Sequence, residues 1–334
     1  MTDFTDLVDL AAERLGGAAI LANDEFFASK ENLLRAAPAE WREGVYTERG
    51  KWMDGWETRR RRSPGHDWCI VRLGVAGIVR GVVVDTSFFR GNYPEQCSID
   101  ACTVEGMPSA ETIARDARWR TIVEKTALEG DTRNVIEVRE DGPATHLRLN
   151  IFPDGGVARL RAHGEVAPDW PSLVRRGDVD LAAMEHGGWV VVCSDMFFGH
   201  RQNLILPGRS THMGDGWETR RRRGAGNDWT IVRLGRAGAI RRVEIDTDHF
   251  KGNAPGACSM AWCHAPDASP DALASSAVVE WHELLPRTDL QPHARHGFER
   301  ALQRAERATH VRLDIYPDGG VARLRVFGRP EGGA

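Results

Sequence analysis

One domain-length segment is written twice in this chain, and that duplication limits the fold more than any other feature. The nonapeptide DGWETRRRR runs from Asp54 to Arg62 and recurs unchanged from Asp215 to Arg223. Further blocks return around it in the same order. VDLAA begins at Val8 and Val179, and NLL at Asn32 answers NLI at Asn203. DTSFFRGN from Asp85 is matched by DTDHFKGN from Asp246, and ATHLRLNIFPDGGVARLRAHG from Ala144 by ATHVRLDIYPDGGVARLRVFG from Ala308. The offset between partners falls from 171 at the asparagine block to 161 at the nonapeptide. The first copy therefore carries ten extra residues between Leu34 and Asp54, in an insert that includes APAEWREGVY. A period as long as a domain indicates a duplicated fold, not a solenoid. The expected domains are 1–167 and 168–334, with the junction inside Gly164–Asp178, which holds two prolines.

Within a copy, the apolar pattern has mostly a period of two. In HLRLNIF, Leu147, Leu149 and Ile151 share one face, and His146, Arg148 and Asn150 the other. PDGG follows, then VARLRAHG alternates back, the pattern of a hairpin. DWCIVRLG and GIVRGVVVDT read as two further strands. Near the start, Leu7, Leu10, Ala11 and Leu15 fit one face of a short helix that Gly16-Gly17 ends. No long amphipathic helices separate the strands, so a parallel α/β sheet is disfavoured. The expected class is all-β: two tandem homologous β-sandwiches of jelly-roll, galactose-binding-like type, each with a short N-terminal helix.

A net charge of −4 argues against nucleic acid as a partner, because such domains usually carry a basic surplus. No apolar run approaches the roughly 20 residues of a membrane span, and the acidic start MTDFTDLVDLAAERLGG is unlike a signal peptide. A cytoplasmic protein with reduced, buried cysteines is expected. Cys97 and Cys102 recur as Cys258 and Cys263, and their odd spacing on a strand points the two thiols to opposite faces. Sandwich edges left exposed favour burial in a homo-oligomer.

The chemistry-bearing candidates cluster in the first copy. In DGWETRRRR, an extended chain places Arg59 and Arg61 on one face and Arg60 and Arg62 on the other. Two readings stay open. The arginines pair with acids along a sheet edge, or their planar guanidinium forks clamp a substrate carboxylate. Asp54 and Glu57 beside them are candidates for acid, base or metal ligand. GHDW at Gly65–Trp68 answers GNDW at Gly226–Trp229, so His66 becomes Asn227 while Asp67 persists as Asp228. Lys30 and Glu31 become Arg201 and Gln202, whereas Asn32 persists as Asn203. Histidine and glutamate titrate and their replacements do not, so the first copy is the better catalytic candidate. His146 and His310 occur in both copies and read as structural. HExxH, P-loop, GxSxG and Rossmann patterns are absent.

The segments DEFFASKENLL, GKWMDGWETRRRR, GHDWCIVRLG and DTSFFRGNYPE, with their second-copy partners, resemble the allantoicase family over nearly the whole chain. That resemblance implies two jelly-roll domains and hydrolysis of allantoate to (S)-ureidoglycolate and urea in allantoin degradation. Allantoate carries one carboxylate and two ureido arms on one carbon, so it calls for a cationic clamp, hydrogen-bonding groups and proton transfer. The expected catalytic set is Glu57, Glu31 and His66. The expected substrate contacts are Lys30, Asn32, Asp54, Arg59, Arg60, Arg61, Asp67 and Asn92. No cofactor is required by any spacing, and a divalent metal such as manganese, polarising a ureido carbonyl, is an option. The competing readings are a non-catalytic small-ligand or carbohydrate-binding tandem sandwich and an enzyme for another ureido compound.

Overall fold

The alternating runs become strands of two similar units in the computed structural model, which describes residues 4–275 and 277–332. The chain divides into Met1–Ala167 and Pro168–Ala334. In the first unit one 19-residue strand, Asp67–Asp85, organises the rest. Its first part pairs with Ala18–Ala22 on one side and Ala144–Phe152 on the other, and that sheet continues through Gln96–Cys102 to Arg120–Ala127. Its second part pairs with Arg159–Val166 and Arg133–Glu137, and Val8–Asp9 extends that layer. One strand thus serves both layers of the sandwich. Where it turns between them, a Cβ on Gly77 would lie 2.5 Å from the Glu165 carbonyl oxygen, so only glycine fits. Gly238 occupies the same position in Asp228–Asp246, 2.4 Å from the Arg329 carbonyl oxygen.

Three sequence expectations need correction. The two strands expected within 67–86 are this single bent strand. The runs Ala144–Phe152 and Arg159–Val166 do not pair with each other; each pairs with a different part of it. PDGG is therefore a crossing between layers. Asp154 accepts the Arg61 N–H at 2.8 Å and Gly155 accepts the Thr58 N–H at 3.1 Å, contacts with another segment that a tight hairpin does not supply. Third, the helix expected over residues 7–15 is not formed as a continuous helix. Asp9 Oδ1 accepts the N–H of Ala162 at 2.9 Å and of Ala11 at 3.2 Å, so the chain runs as an edge strand followed by a 3-10 turn at Glu13–Leu15. The apolar spacing is satisfied either way, since Leu10 and Ala11 are fully buried. A short polar side chain that bonds to the backbone favours the non-helical solution.

The core follows the predicted face. Leu147, Leu149 and Ile151 are fully buried, as are Val82 and Val84 of the long strand. Cys69, Cys97, Cys102, Cys258 and Cys263 are free and buried, and burial pushes the Cys97 thiol up to about 12. His146 and His310 are buried, with Nδ1 near the Thr145 and Thr309 hydroxyls at 2.9 and 3.0 Å. Burial lowers both imidazoles, His310 to about 4, so they stay neutral and structural. No helix among the described residues is long and apolar enough to cross a membrane.

A buried ion pair in each unit ties the repeated DGWE turn to the last strand. Arg159, only 3% exposed, donates to Asp54 Oδ2 at 2.6 Å, to the Asp54 carbonyl at 3.0 Å and to the Ala37 carbonyl at 3.0 Å. Arg323 and Asp215 repeat the pair at 3.1 Å. By contrast, Arg59 reaches Asp24 from the surface, with its own side chain 64% exposed. Removing one partner of a buried pair strands the other charge, at about 3–5 kcal/mol, whereas an exposed pair contributes about 0.2–1 kcal/mol. Arg159→Ala should therefore unfold in urea at a much lower concentration than Arg59→Ala. Equal midpoints would contradict this assignment.

Candidate active site

The PDGG crossing that replaces the expected hairpin also assembles the cleft of the first unit. Gly156 pairs with Glu57, and its N–H donates to the Asn92 carbonyl at 2.8 Å. A Cβ on Gly156 would lie 1.9 Å from the Phe89 ring. The glycine therefore lets two distant segments close on one point. There Asn92 Nδ2 donates to Glu57 Oε1 at 2.7 Å. Burial raises the Glu57 carboxyl above the usual glutamate range, against the opposing pull of the Asn92 bond. A buried carboxyl with one oxygen held by an amide is the type of group that can take and return a proton during a reaction.

Around this pair lies a cleft of about 660 Å³. Phe27, Trp41, Met53 and Phe88 supply its apolar walls, and Lys51, Arg90 and Glu43 its other charges. Trp41 lies 5.9 Å from Phe88, and the Lys51 ammonium sits 4.0 Å from the Trp41 ring centroid. Arg90 pairs with Asp131 at 2.9 Å. Phe88 has φ +69°, a conformation that costs a non-glycine residue about 1–3 kcal/mol and clusters at functional sites. Met53 belongs to a buried cluster with Phe89 and Ala158, which backs the wall.

Of the residues singled out from sequence, the structure brings Glu57 and Asn92 together in this cleft. The others have different surroundings. Asp54 is buried against Arg159, and Arg35 binds its other oxygen at 3.1 Å. Burial acts to raise the Asp54 carboxyl, but these guanidinium groups and the Glu40 N–H hold it below the usual range. Asn32 spends its amide on the Gly55 carbonyl at 2.9 Å. Arg61 is paired with buried Asp67 at 2.6 Å, and Asn23 binds the same oxygen at 2.9 Å. Lys30 bridges Glu25 and Glu31. His66 packs on the Phe152 ring at 4.7 Å. Arg60 is exposed, with no ion-pair partner among the described residues. Neither His66, Glu31 nor Arg59–Arg61 lines the cleft. Sequence reasoning missed Lys51, Arg90, Phe27, Phe88 and Trp41 as site residues. Trp41 had a signal, because it lies in the insert that only the first copy carries.

Among the described residues no three His, Cys, Asp or Glu side chains are grouped to hold a metal ion. The cleft offers Glu57, with one oxygen occupied by the Asn92 amide, and Glu43. This donor set does not fit the manganese considered from sequence, which prefers several oxygen or imidazole ligands.

The family model for the allantoicase repeat matches residues 8–167 and again 179–331. The chain belongs to the allantoicase family. A probable allantoicase of Photobacterium profundum is 46% identical, covering 98% of this chain and 97% of its own. A probable allantoicase of Burkholderia mallei is 49% identical over 96% of this chain and 94% of its own. The crystal structure of the Saccharomyces cerevisiae allantoicase superimposes with a TM-score of 0.80 at 36% identity, covering 96% of this chain and 93% of that one. The allantoicase repeat thus accounts for both units, including the duplicated sandwich.

The raised Glu57 carboxyl has a consequence for stability. The folded chain holds that proton more tightly than the unfolded chain. The contribution is full below the ordinary glutamate pKa and is lost as pH rises through the raised value. Glu57→Gln cannot ionise and escapes that loss. Its melting temperature relative to wild type should climb as pH rises above the ordinary glutamate range. A difference that stays flat with pH would contradict the burial of this carboxyl.

Proposed function

We propose that the chain hydrolyses allantoate to ureidoglycolate and urea in the cleft of its first unit, with Glu57 as the proton carrier. Family membership supplies the reaction, and the Glu57–Asn92 pair in an aromatic-walled cleft is the observation that carries its placement. Lys51 and Arg90 are the cleft's cations and take the substrate carboxylate. Asn92 donates one amide hydrogen to Glu57, which leaves its carbonyl oxygen to accept from a ureido N–H. Trp41, Phe27 and Phe88 restrict water around the reacting carbon, which strengthens each polar contact.

The bond to be broken joins the central carbon to one ureido nitrogen. Glu57, as carboxylate, takes the N–H proton of the retained arm. That nitrogen's electrons form a C=N bond as the carbon–nitrogen bond to the other arm breaks. Glu57 returns the proton to the departing nitrogen, which leaves as urea. Water then adds to C=N: its oxygen bonds the carbon, and its proton passes through Glu57 to the nitrogen. One carboxyl serves both steps, so a second titrating group is unnecessary. That is why His66 and Glu31, outside the cleft, have no part in this sequence.

Glu57→Gln should lower the turnover number for urea release by about 10²–10⁴-fold, the usual worth of a general acid–base group. His66→Ala should stay within about threefold of wild type. The reverse ranking would move the chemistry to the His66 side of the domain. Exhaustive chelation should leave urea release unchanged within about twofold, because no step runs through a metal. Activity lost on chelation and restored by manganese would contradict the metal-free route.

A further inference from the structure

The second unit repeats the pair at the centre of the first. Asn253 Nδ2 donates to Glu218 Oε1 at 2.5 Å, and both residues are half-buried. Their frame is repeated as well. Glu218 pairs with Gly320 of the second PDGG crossing, whose N–H donates to the Asn253 carbonyl at 2.9 Å. His249, at the position of Phe88, shares its φ of +69°. A structural role for the Glu–Asn contact alone would not require the surroundings to change in a coherent direction, yet they do.

Lys251 stands where the first unit has Arg90, two residues before the asparagine. In the first unit Asp131 ties that cation down at 2.9 Å. Asp131 donates its N–H to the Phe89 carbonyl, and His293 does the same to Phe250, with φ of +53° and +50°. His293 therefore holds the acid's position. Its replacement of the aspartate leaves Lys251 exposed and without a carboxylate partner among the described residues. The insert that brings Trp41 is also missing, and Phe198, at the position of Phe27, is 62% exposed where Phe27 is 37%. A half-buried carboxylate–amide pair offers an acceptor to a ureido N–H. A free ammonium two residues away offers a partner to a carboxylate.

We infer that the second unit holds a second binding site, for a small monocarboxylate bearing one ureido arm, the class to which the reaction product belongs. The inference rests on the reading of the Glu57 cleft as a ureido site. Without the Trp41 wall the site holds a one-armed ligand in the open and does not enclose a two-armed one.

The probe is N-carbamoylglycine, which has the carboxylate and one ureido arm but no second nitrogen or oxygen on the central carbon, so it cannot turn over. Titration calorimetry of the full chain should give two sites per chain. Glu218→Gln should remove one and Glu57→Gln the other. Lys251→Met, a change at an exposed position that leaves the Glu–Asn contact in place, should weaken the second-unit site at least tenfold. A single site that persists in both Glu218→Gln and Lys251→Met would overturn the proposal and make the repeated pair a remnant of duplication. Failure of the first-unit reading is separable, because it would appear as full urea release by Glu57→Gln.

Discussion

The buried contact between Arg159 and Asp54 is the constraint on which the first unit's cleft depends. One guanidinium binds the Asp54 carboxylate, the Asp54 carbonyl and the carbonyls of Ala37 and Pro38. It thereby fixes both ends of the segment that carries Trp41 and Lys51, and it sets the turn that delivers Glu57. An arginine fork suits this task because its donors are rigid and its charge is permanent. Burial makes the pair poor as a source of net stability but severe when half of it is removed. Its main contribution is therefore geometrical, holding the segment between Pro38 and Asp54 in one arrangement.

Duplication then explains how one scaffold carries two differently equipped sites. The long bent strand, the PDGG crossing, the arginine–aspartate pair and the Glu–Asn contact occur in both units. The units differ in what surrounds the contact, as they do elsewhere, for example at His66 and Asn227. The first unit has aromatic walls and an Arg90 paired with Asp131, while the second has an exposed Lys251 with no carboxylate partner among the described residues. The strained φ at Phe88 and His249 persists in both, which links that strain to the shape of the loop and not to one side chain.

Much of the architecture is legible in the sequence. The repeat blocks gave two units, and the alternation through Leu147, Leu149 and Ile151 gave the buried face. What escaped was register. Asp-Gly between alternating runs signals a hairpin, but the signal is local, and here both flanking strands pair with a third. The start of the chain failed for a similar reason: apolar spacing did not reveal that Asp9 would bond to the last strand. At the site, Glu57 and Asn92 were visible as residue types in repeated blocks. The arginine run drew attention because charge is conspicuous in a sequence, yet Arg59 and Arg61 are paired with Asp24 and Asp67 and neutralised. The residues that shape the cleft were harder to find. Lys51, Phe88 and Arg90 become neighbours only through long-range packing, which no short spacing records.

The most direct test of this account is a crystal structure of the Glu57→Gln variant soaked with allantoate. The account predicts allantoate in the first-unit cleft, its carboxylate against Lys51 and Arg90 and a ureido arm against Asn92 and position 57. Allantoate seated instead along Arg60 and His66, with the cleft empty, would contradict it.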